Sequence, residues 1–364
     1  LDLSAVLADF PDFHIASEKD EPEILRFFNA TKMVGGGLQL RTVRGPRFSS
    51  FLDLQSDERL VLYYRKPGGP IAGVAAFVFR PGYIDGKETK TLYLGDFRIE
   101  FDRALVRSWR KFYARLLEAI DCPAITAVID DNKRARNALV ISQGHGFSYE
   151  PLCSYRMVNF LRPWPWRSRK IPPQIRRATA ADEPELIRFL DQEQRKKSFG
   201  YVMTSEWDRR KKSWPGFSIE RFWIWRENGA IEGCLFPWSP SPTKYNVIEQ
   251  APLSIQLLRP LIRFPMRGDE LKTLYMTHFE VSAETKSERT RRAQGLLRAA
   301  LEEGFRGDWN MISYCDFLGD QFDRGFHGYL SRTVPMQLYQ VLPETKKRES
   351  SSSVESAGFE MALV

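Results

Sequence analysis

The stretch DEPEILRFF at residues 20–28 returns as DEPELIRFL at residues 182–190. This echo, 162 residues downstream, constrains the fold more than any other feature, because it marks a chain built by duplicating one structural unit. In each copy acidic residues and an early proline, Pro22 or Pro184, suit a helix start. Apolar residues then follow at helical spacing: Ile24, Phe27 and Phe28 in the first copy, Leu186, Phe189 and Leu190 in the second. Both copies are expected to open with an amphipathic helix.

Further landmarks keep the same order. Residues 60–79 and 221–238 each read as two apolar runs about a short turn, the pattern of a β-hairpin, with Gly69 matching Gly229 and Gly73 matching Gly233. TLYLGDFRIE (91–100) matches TLYMTHFEVS (273–282), each followed by a helical stretch, expected over 105–120 and 291–305. The offset has by then grown to 182, so about twenty residues have entered the second copy between 239 and 270. GFSYEPLCSYRMV (146–158) and GYLSRTVPMQLYQV (328–341) read as closing strands. The expected division is a first domain over 1–160, a Pro- and Arg-rich linker over 161–174, a second domain over 175–343, and a polar, Ser-rich tail over 344–364, disordered or loosely draped.

A chain of 364 residues exceeds what one hydrophobic core usually supports, which agrees with two domains. Each copy alternates helices and strands, an α/β (α+β) class with a mixed, mostly antiparallel sheet flanked by helices. The excess of Lys and Arg (54) over Asp and Glu (46) favours anionic partners but is spread along the chain rather than concentrated in a nucleic-acid-binding stripe. Four scattered cysteines support neither a zinc site nor a disulfide framework, so no metal is expected. No apolar run is long enough to span a bilayer, and the first residues lack a basic leader, so a cytoplasmic location is the expectation.

Three local features have two readings each. MVGGGL (33–38) lacks the Lys-Ser or Lys-Thr of a phosphate loop and reads as a mobile loop beside a substrate site. Trp207, Trp214, Trp223, Trp225 and Trp238 could line an apolar groove, but core packing is the better reading. Basic residues interleaved with Trp109, Phe112 and Tyr113 read as an amphipathic helix with its aromatics inward rather than a nucleic-acid surface.

The element order, with a central strand running directly into a helix, resembles the GNAT acyltransferases, here as two tandem domains with degenerate motifs. Within RRAQGLLRAALEEGF (291–305), Arg292 and Gly295 match that family's pyrophosphate motif, and Leu297 stands where its final Gly or Ala belongs. The resemblance implies acetyl-CoA or another acyl-CoA as cofactor, bound in the second domain by Val281, Arg291, Arg292, Ala293, Gln294, Gly295, Leu296 and Leu297. Helix N-terminal amides would hold the pyrophosphate there. The first copy has no glycine in the corresponding turn, leaving Arg103, Arg107, Arg110 and Lys111 to meet a phosphate. Its DDNKRARNALVISQGHGF keeps Asn132, Ala135, Gly146 and Phe147 of a later motif but not the family's tyrosine. The second copy keeps Gly328 and Tyr329, with Arg324 near the tyrosine's position.

Acyl transfer to an amine, from a small molecule or a peptide, needs a base. The central strands offer His278, the first choice, with Glu280 beside it, and Asp96 and Glu100 in the other copy. The implied activity is an N-acyltransferase. Two alternatives are an aminoacyl-tRNA-dependent transferase of related tandem fold, the one case with a nucleic-acid partner, and a catalytically decayed ligand-binding or scaffold protein.

Overall fold

The computed structural model describes residues 2–31, 38–100, 102–129, 146–168, 170–262, 264–343 and 354–363. The GGG loop and the Asn132 to Ala135 motif of the first copy lie outside them. The first half runs α1 (Ser4–Asp9), β1 (Phe13–Ile15), α2 (Glu21–Ala30), β2 (Gln39–Arg44), α3 (Ser49–Asp53), β3 (Glu58–Arg65), β4 (Ile71–Ile84), β5 (Lys87–Ile99), α4 (Arg103–Ile120), β6 (Ala124–Ile129) and β7 (Phe147–Pro163). The second runs β8 (Ile175–Arg177), α5 (Glu183–Arg195), β9 (Gly200–Tyr201), α6 (Met203–Ser213), β10 (Trp223–Glu227), β11 (Ala230–Trp238), β12 (Lys244–Gln250), α7 (Leu253–Ile262), β13 (Glu270–Leu271), β14 (Thr273–Val281), α8 (Lys286–Gly304), β15 (Met311–Phe317) and β16 (Tyr329–Pro343). No helix among the described residues is long and apolar enough to cross a membrane.

The repeated segment does the same job twice. Asp20 accepts from the backbone N–H and the hydroxyl of Ser17, and Asp182 does so from Thr179, closing a tight turn ahead of α2 and α5. Glu23 and Glu185 then reach back from each helix to the hairpin, where each takes an arginine, Arg65 or Arg226, and a backbone N–H, Ile71 or Ile231. Both hairpins form as expected, β3 with β4 and β10 with β11.

The two halves do not form a sheet each. One continuous sheet runs β1-β3-β4-β5-β6-β16-β7-β15-β14-β11-β10-β8, antiparallel except for β5 with β6 and β14 with β15. The closing strands have changed places: β16 lies against β6 of the first half, and β7 lies against β15 of the second. Between them β7 and β16 pair along their whole lengths, from Phe147 opposite Pro343 to Pro163 opposite Tyr329. Residues 161–163, expected in the linker, therefore belong to β7.

The insertion joins the halves a second time. Its strand β12 pairs with β13 and with β2 of the first half in a small separate sheet of three strands, setting Lys244 directly opposite Arg44. One hydrophobic cluster is common to both halves, with Phe28, Phe51 and Val74 from the first and Leu190, Trp207 and Phe236 from the second. The other faces carry their own cores, one under α4 and one under α8.

Residues 344–353 of the expected tail lie outside the described residues, and the part that follows them does not drape loosely. Residues 354–363 pack inward, burying Ala357, Phe359, Ala362 and Leu363. Four apolar side chains among the polar ones are enough to anchor this end of it.

Candidate functional site

Each half opens its sheet at the same place. In the first half β5 and β6 pair only at Leu92 with Ala124 and Tyr93 with Ile125, then diverge. In the second, β14 and β15 pair from Thr273 to Tyr275 and then part. Opposite each opening the central strand bulges at a residue with positive φ, Asp96 (51°) and His278 (48°), 182 residues apart. A bulge of this kind leaves the ladder and re-aims its side chain.

The first-half opening is a cavity of about 100 Å³, lined by Leu94, Phe97, Val106, Trp109, Tyr113 and Tyr149 among others. Helix α4 forms its floor because its apolar residues recur on one side: Leu105, Trp109, Phe112 and Leu116 are buried. Phe13 stacks on Phe112 with ring centroids 4.0 Å apart, so these aromatics are core, as expected. Thr126 donates to the Leu94 carbonyl across the gap at 2.8 Å. Trp109 Nε1 is buried and meets no acceptor among the described residues. At the helix start Asp102 accepts from the amides of Ala104 and Leu105, so a carboxylate already occupies the positive end of α4.

The second-half opening is filled. The tail's Phe359, Glu360, Met361 and Ala362 enter it and leave about 50 Å³. His278 and Glu280, expected as acid–base groups, border this space but are committed elsewhere. Arg210 Nη1 lies 2.5 Å from His278 Nε2, and an arginine can only donate, so the imidazole lone pair is occupied and its proton sits on Nδ1. The ring is walled by Trp214, Phe217, Phe222 and Phe236, and burial followed by the Arg210 charge drives its pKa well below the usual value. Burial raises the Glu280 carboxyl, which takes Lys197 at 2.6 and 2.7 Å and Gln194 at 2.6 Å. Both side chains read as internal supports.

The motif residues on α8 also differ from expectation. The helix starts at Lys286, capped by Thr285, five residues before the expected start at Arg291. Residues 291–297 thus lie in its later turns, where backbone amides bond back along the helix and cannot cradle a phosphate. Arg292 is buried among Glu227, Glu232 and Glu288. Arg291 faces Glu227, and Gln294 donates to the carbonyls of Phe322 and Arg324. Ala293, Leu296 and Leu297 are core. The carbonyl of Val281 accepts from Arg289 at 2.7 Å. A Cβ on Gly295 would sit 2.8 Å from Ile175 and 3.0 Å from Trp225, so this glycine serves close packing of α8 on the hairpin.

Four residues outside the sequence expectations, or not singled out by them, shape the candidate site: Arg44, Trp109 as a donor, Lys244 and Glu360. Arg44 donates to Asp96 at 2.5 Å, as Arg210 does to His278, so a buried arginine supports the bulge in each half. Only the β2 to β12 pairing brings Lys244 beside Arg44, two hundred residues away in sequence. No local signal announces it. The tryptophan group is largely core: Trp214 stacks on Trp238 at 3.9 Å, and Trp207 and Trp225 are buried. All four cysteines are free thiols, and burial pushes those of Cys153 and Cys315 up to about 12.

No protein-family model matches the sequence, and no curated protein matches it. The fold does match solved structures. A Saccharomyces cerevisiae N-myristoyltransferase with bound myristoyl-CoA aligns over 91% of this chain and 83% of its own, with a TM-score of 0.60 and 10% identity. The GCN5-related glucosamine N-acetyltransferase region of a fungal multi-domain β-N-acetylglucosaminidase aligns over 90% of this chain and 38% of that one, with a TM-score of 0.60 and 14% identity. A GCN5-related N-acetyltransferase from Sphaerobacter thermophilus covers 90% of this chain and 94% of its own, with a TM-score of 0.53 and 12% identity. The chain therefore shares the fold of these structures, a mixed α/β architecture with a mostly antiparallel sheet flanked by helices.

Proposed function

We propose that this protein transfers an acyl group from a CoA thioester to an amine, and that the thioester lies in the first-half opening rather than on α8. The observation that carries this reading is the parting of β5 from β6 above the apolar floor of α4, since the equivalent space in the second half is taken by the tail. The pantetheine and acyl end fits: the lining is apolar, and the orphaned Trp109 N–H supplies one donor for a carbonyl. The phosphate end is met differently from the family pattern. With Asp102 on the helix amides, the exposed side chains of Arg103 and Arg107 at the start of α4 are the groups left for it.

Bound acyl-CoA would supply the activated acyl carbon, to which the amine nitrogen bonds as the carbon–sulfur bond breaks, and the proton lost by the amine ends on the leaving thiolate. Asp96, at the bulge of β5, is the base in this reading: Arg44 holds one carboxylate oxygen, and the other takes the proton the amine gives up and passes it to the thiolate. Trp109 and the strand amides around the bulge position the thioester.

Calorimetric titration with acetyl-CoA and longer acyl-CoAs tests the reading. Micromolar binding to the wild type, abolished by Val106→Trp at the slot and unaffected by Arg291→Glu on α8, is expected. No binding of any acyl-CoA sinks the proposal. Binding lost in the α8 variant but not the slot variant returns the site to the second half. The non-catalytic reading keeps one specific support, the acidic cap at Asp102, and binding without turnover would favour it.

A further inference from the structure

Three cations converge on one carboxylate beneath the shared core. Arg44 on β2 and Lys244 on β12 stand opposite each other in the small sheet, and both lie on the Phe51 ring, with Arg44 Cζ 3.9 Å and Lys244 Nζ 4.9 Å from its centroid. Arg98 on β5 and Arg44 likewise share Phe28, at 4.8 and 5.4 Å. Asp96 is the one carboxylate in the group, and its bond goes to Arg44. Arg44 and Lys244 are 2% and 6% exposed.

Such a cluster is costly unless an anion completes it, because buried cations repel one another and lose hydration. Cation–π contacts with Phe28 and Phe51 offset part of that cost but supply no hydrogen-bond acceptor. Nε and Nη1 of Arg44 meet no acceptor among the described residues, and no other buried arginine there leaves two nitrogens unpartnered. The second half shows the completed counterpart. Arg210, which supports the other bulge, receives carboxylates from both Glu206 and Glu360.

We propose that Arg44, Arg98 and Lys244 form a binding site for the carboxylate of the acceptor, so that the amine acylated here belongs to an amino acid or a similar carboxylate-bearing amine. The inference rests on the acyl-transfer reading for the word acceptor, but the anion site itself does not. The geometry also orients such a ligand: with its carboxylate on the three cations, its ammonium group is left to face Asp96, the one acid among them. The cluster keeps an edge toward solvent, since Arg98 is half-buried and the Asp96 side chain is 9% exposed. Burial, and then the charge of Arg44, push the Lys244 ammonium well below its usual range, against Asp96 and with Arg98 adding to the repulsion. An anion bound beside it would raise that value again, so binding should take up protons and strengthen as pH falls.

The test separates the two claims. The thermal shift of the full chain, without acyl donor, is measured with glycine and the other common amino acids, with their amides, and with sodium acetate and inorganic phosphate. At least one amino acid should raise the melting temperature, its amide should not, and acetate should act weakly with a larger effect at pH 6 than at pH 8.5. Lys244→Met should weaken binding tenfold or more while Lys244→Arg retains it, and Arg98→Gln should give a smaller loss. If no amino acid, acetate or phosphate shifts the wild type, or if Lys244→Met binds the same ligands as well, the anion site is overturned. A phosphate effect with no amino-acid effect overturns the acceptor assignment. Amino acids that bind but are not acylated from acyl-CoA leave the site standing and sink the transferase reading instead.

Discussion

Glu360 places both carboxylate oxygens 3.0 Å from Nη1 of Arg210, a side chain with no exposed surface. The same carboxylate lies 3.7 Å from Nδ1 of His278, so one residue of the tail holds the support of the second-half bulge. Glu360→Ala should destabilise the protein by about 3 kcal/mol, because it leaves a buried guanidinium with Glu206 as its one remaining carboxylate. Glu360→Gln keeps an acceptor and should cost less. Urea unfolding of both variants checks the order; equal midpoints for the alanine variant and the wild type would remove the tail from the core.

His278 invites a second substitution. As the imidazole is neutral and bonded to Arg210, replacing it tests support rather than catalysis. His278→Ala should lower stability by about 2 to 4 kcal/mol through the cavity and the lost partner. Acyl-CoA affinity in the first-half slot, measured where the variant is still folded, should change less than threefold. A fully stable variant that binds acyl-CoA but has lost all transfer would restore the histidine as the base.

Two buried acids should answer pH in opposite directions. Arg176, with Thr179 adding to it against the cost of burial, holds the Asp182 carboxyl well below the usual range. A lowered folded value gives stability that is present at neutral pH and lost as pH falls from about 4 toward that value. The deficit of Asp182→Asn relative to the wild type should therefore be largest at pH 7 and shrink at pH 3. Asp316 behaves the other way: burial pushes it up to about 6 despite the Phe322 amide and Arg156. Its contribution is full below about 4 and is lost as pH rises through 6. Asp316→Asn should gain on the wild type between pH 4 and 7, measured by urea midpoints across that range.

The repeated elements were legible in the sequence because each of them is local. The DEPE helices, the hairpins and the paired bulge positions each depend on residues within a few turns of one another, and their spacing survives in one chain. The strand exchange was not legible, since β7 and β16 carry the same alternation whichever parallel pair they join. The surroundings of the α8 residues were not legible for a related reason. Arg292 and Gly295 fit a motif by residue type, yet a helix that starts five residues early turns them into an ion pair and a packing contact. Arg44 with Lys244, and Arg210 with Glu360, are partners only once the halves have assembled.

The repeated latch gives the most direct test of the duplication. Glu185 takes Arg226 at 2.7 and 2.8 Å on one oxygen and the Ile231 amide at 2.8 Å on the other. Glu23 takes Arg65 at 2.7 Å and the Ile71 amide at 3.2 Å. In both, the carboxylate fastens the first helix of a half to its hairpin turn. Each glutamate to alanine change should cost about 1 to 3 kcal/mol, most of it from the amide left without an acceptor. Each arginine to alanine change should cost less, because the guanidinium is partly exposed and screened. Because the two latches share no partner, the double variant Glu23→Ala with Glu185→Ala should lose the sum of the single losses within about 0.5 kcal/mol. A double-mutant cycle that departs from additivity by more than 1 kcal/mol would show that the shared core couples the two hairpins, and that the halves no longer unfold as independent copies would.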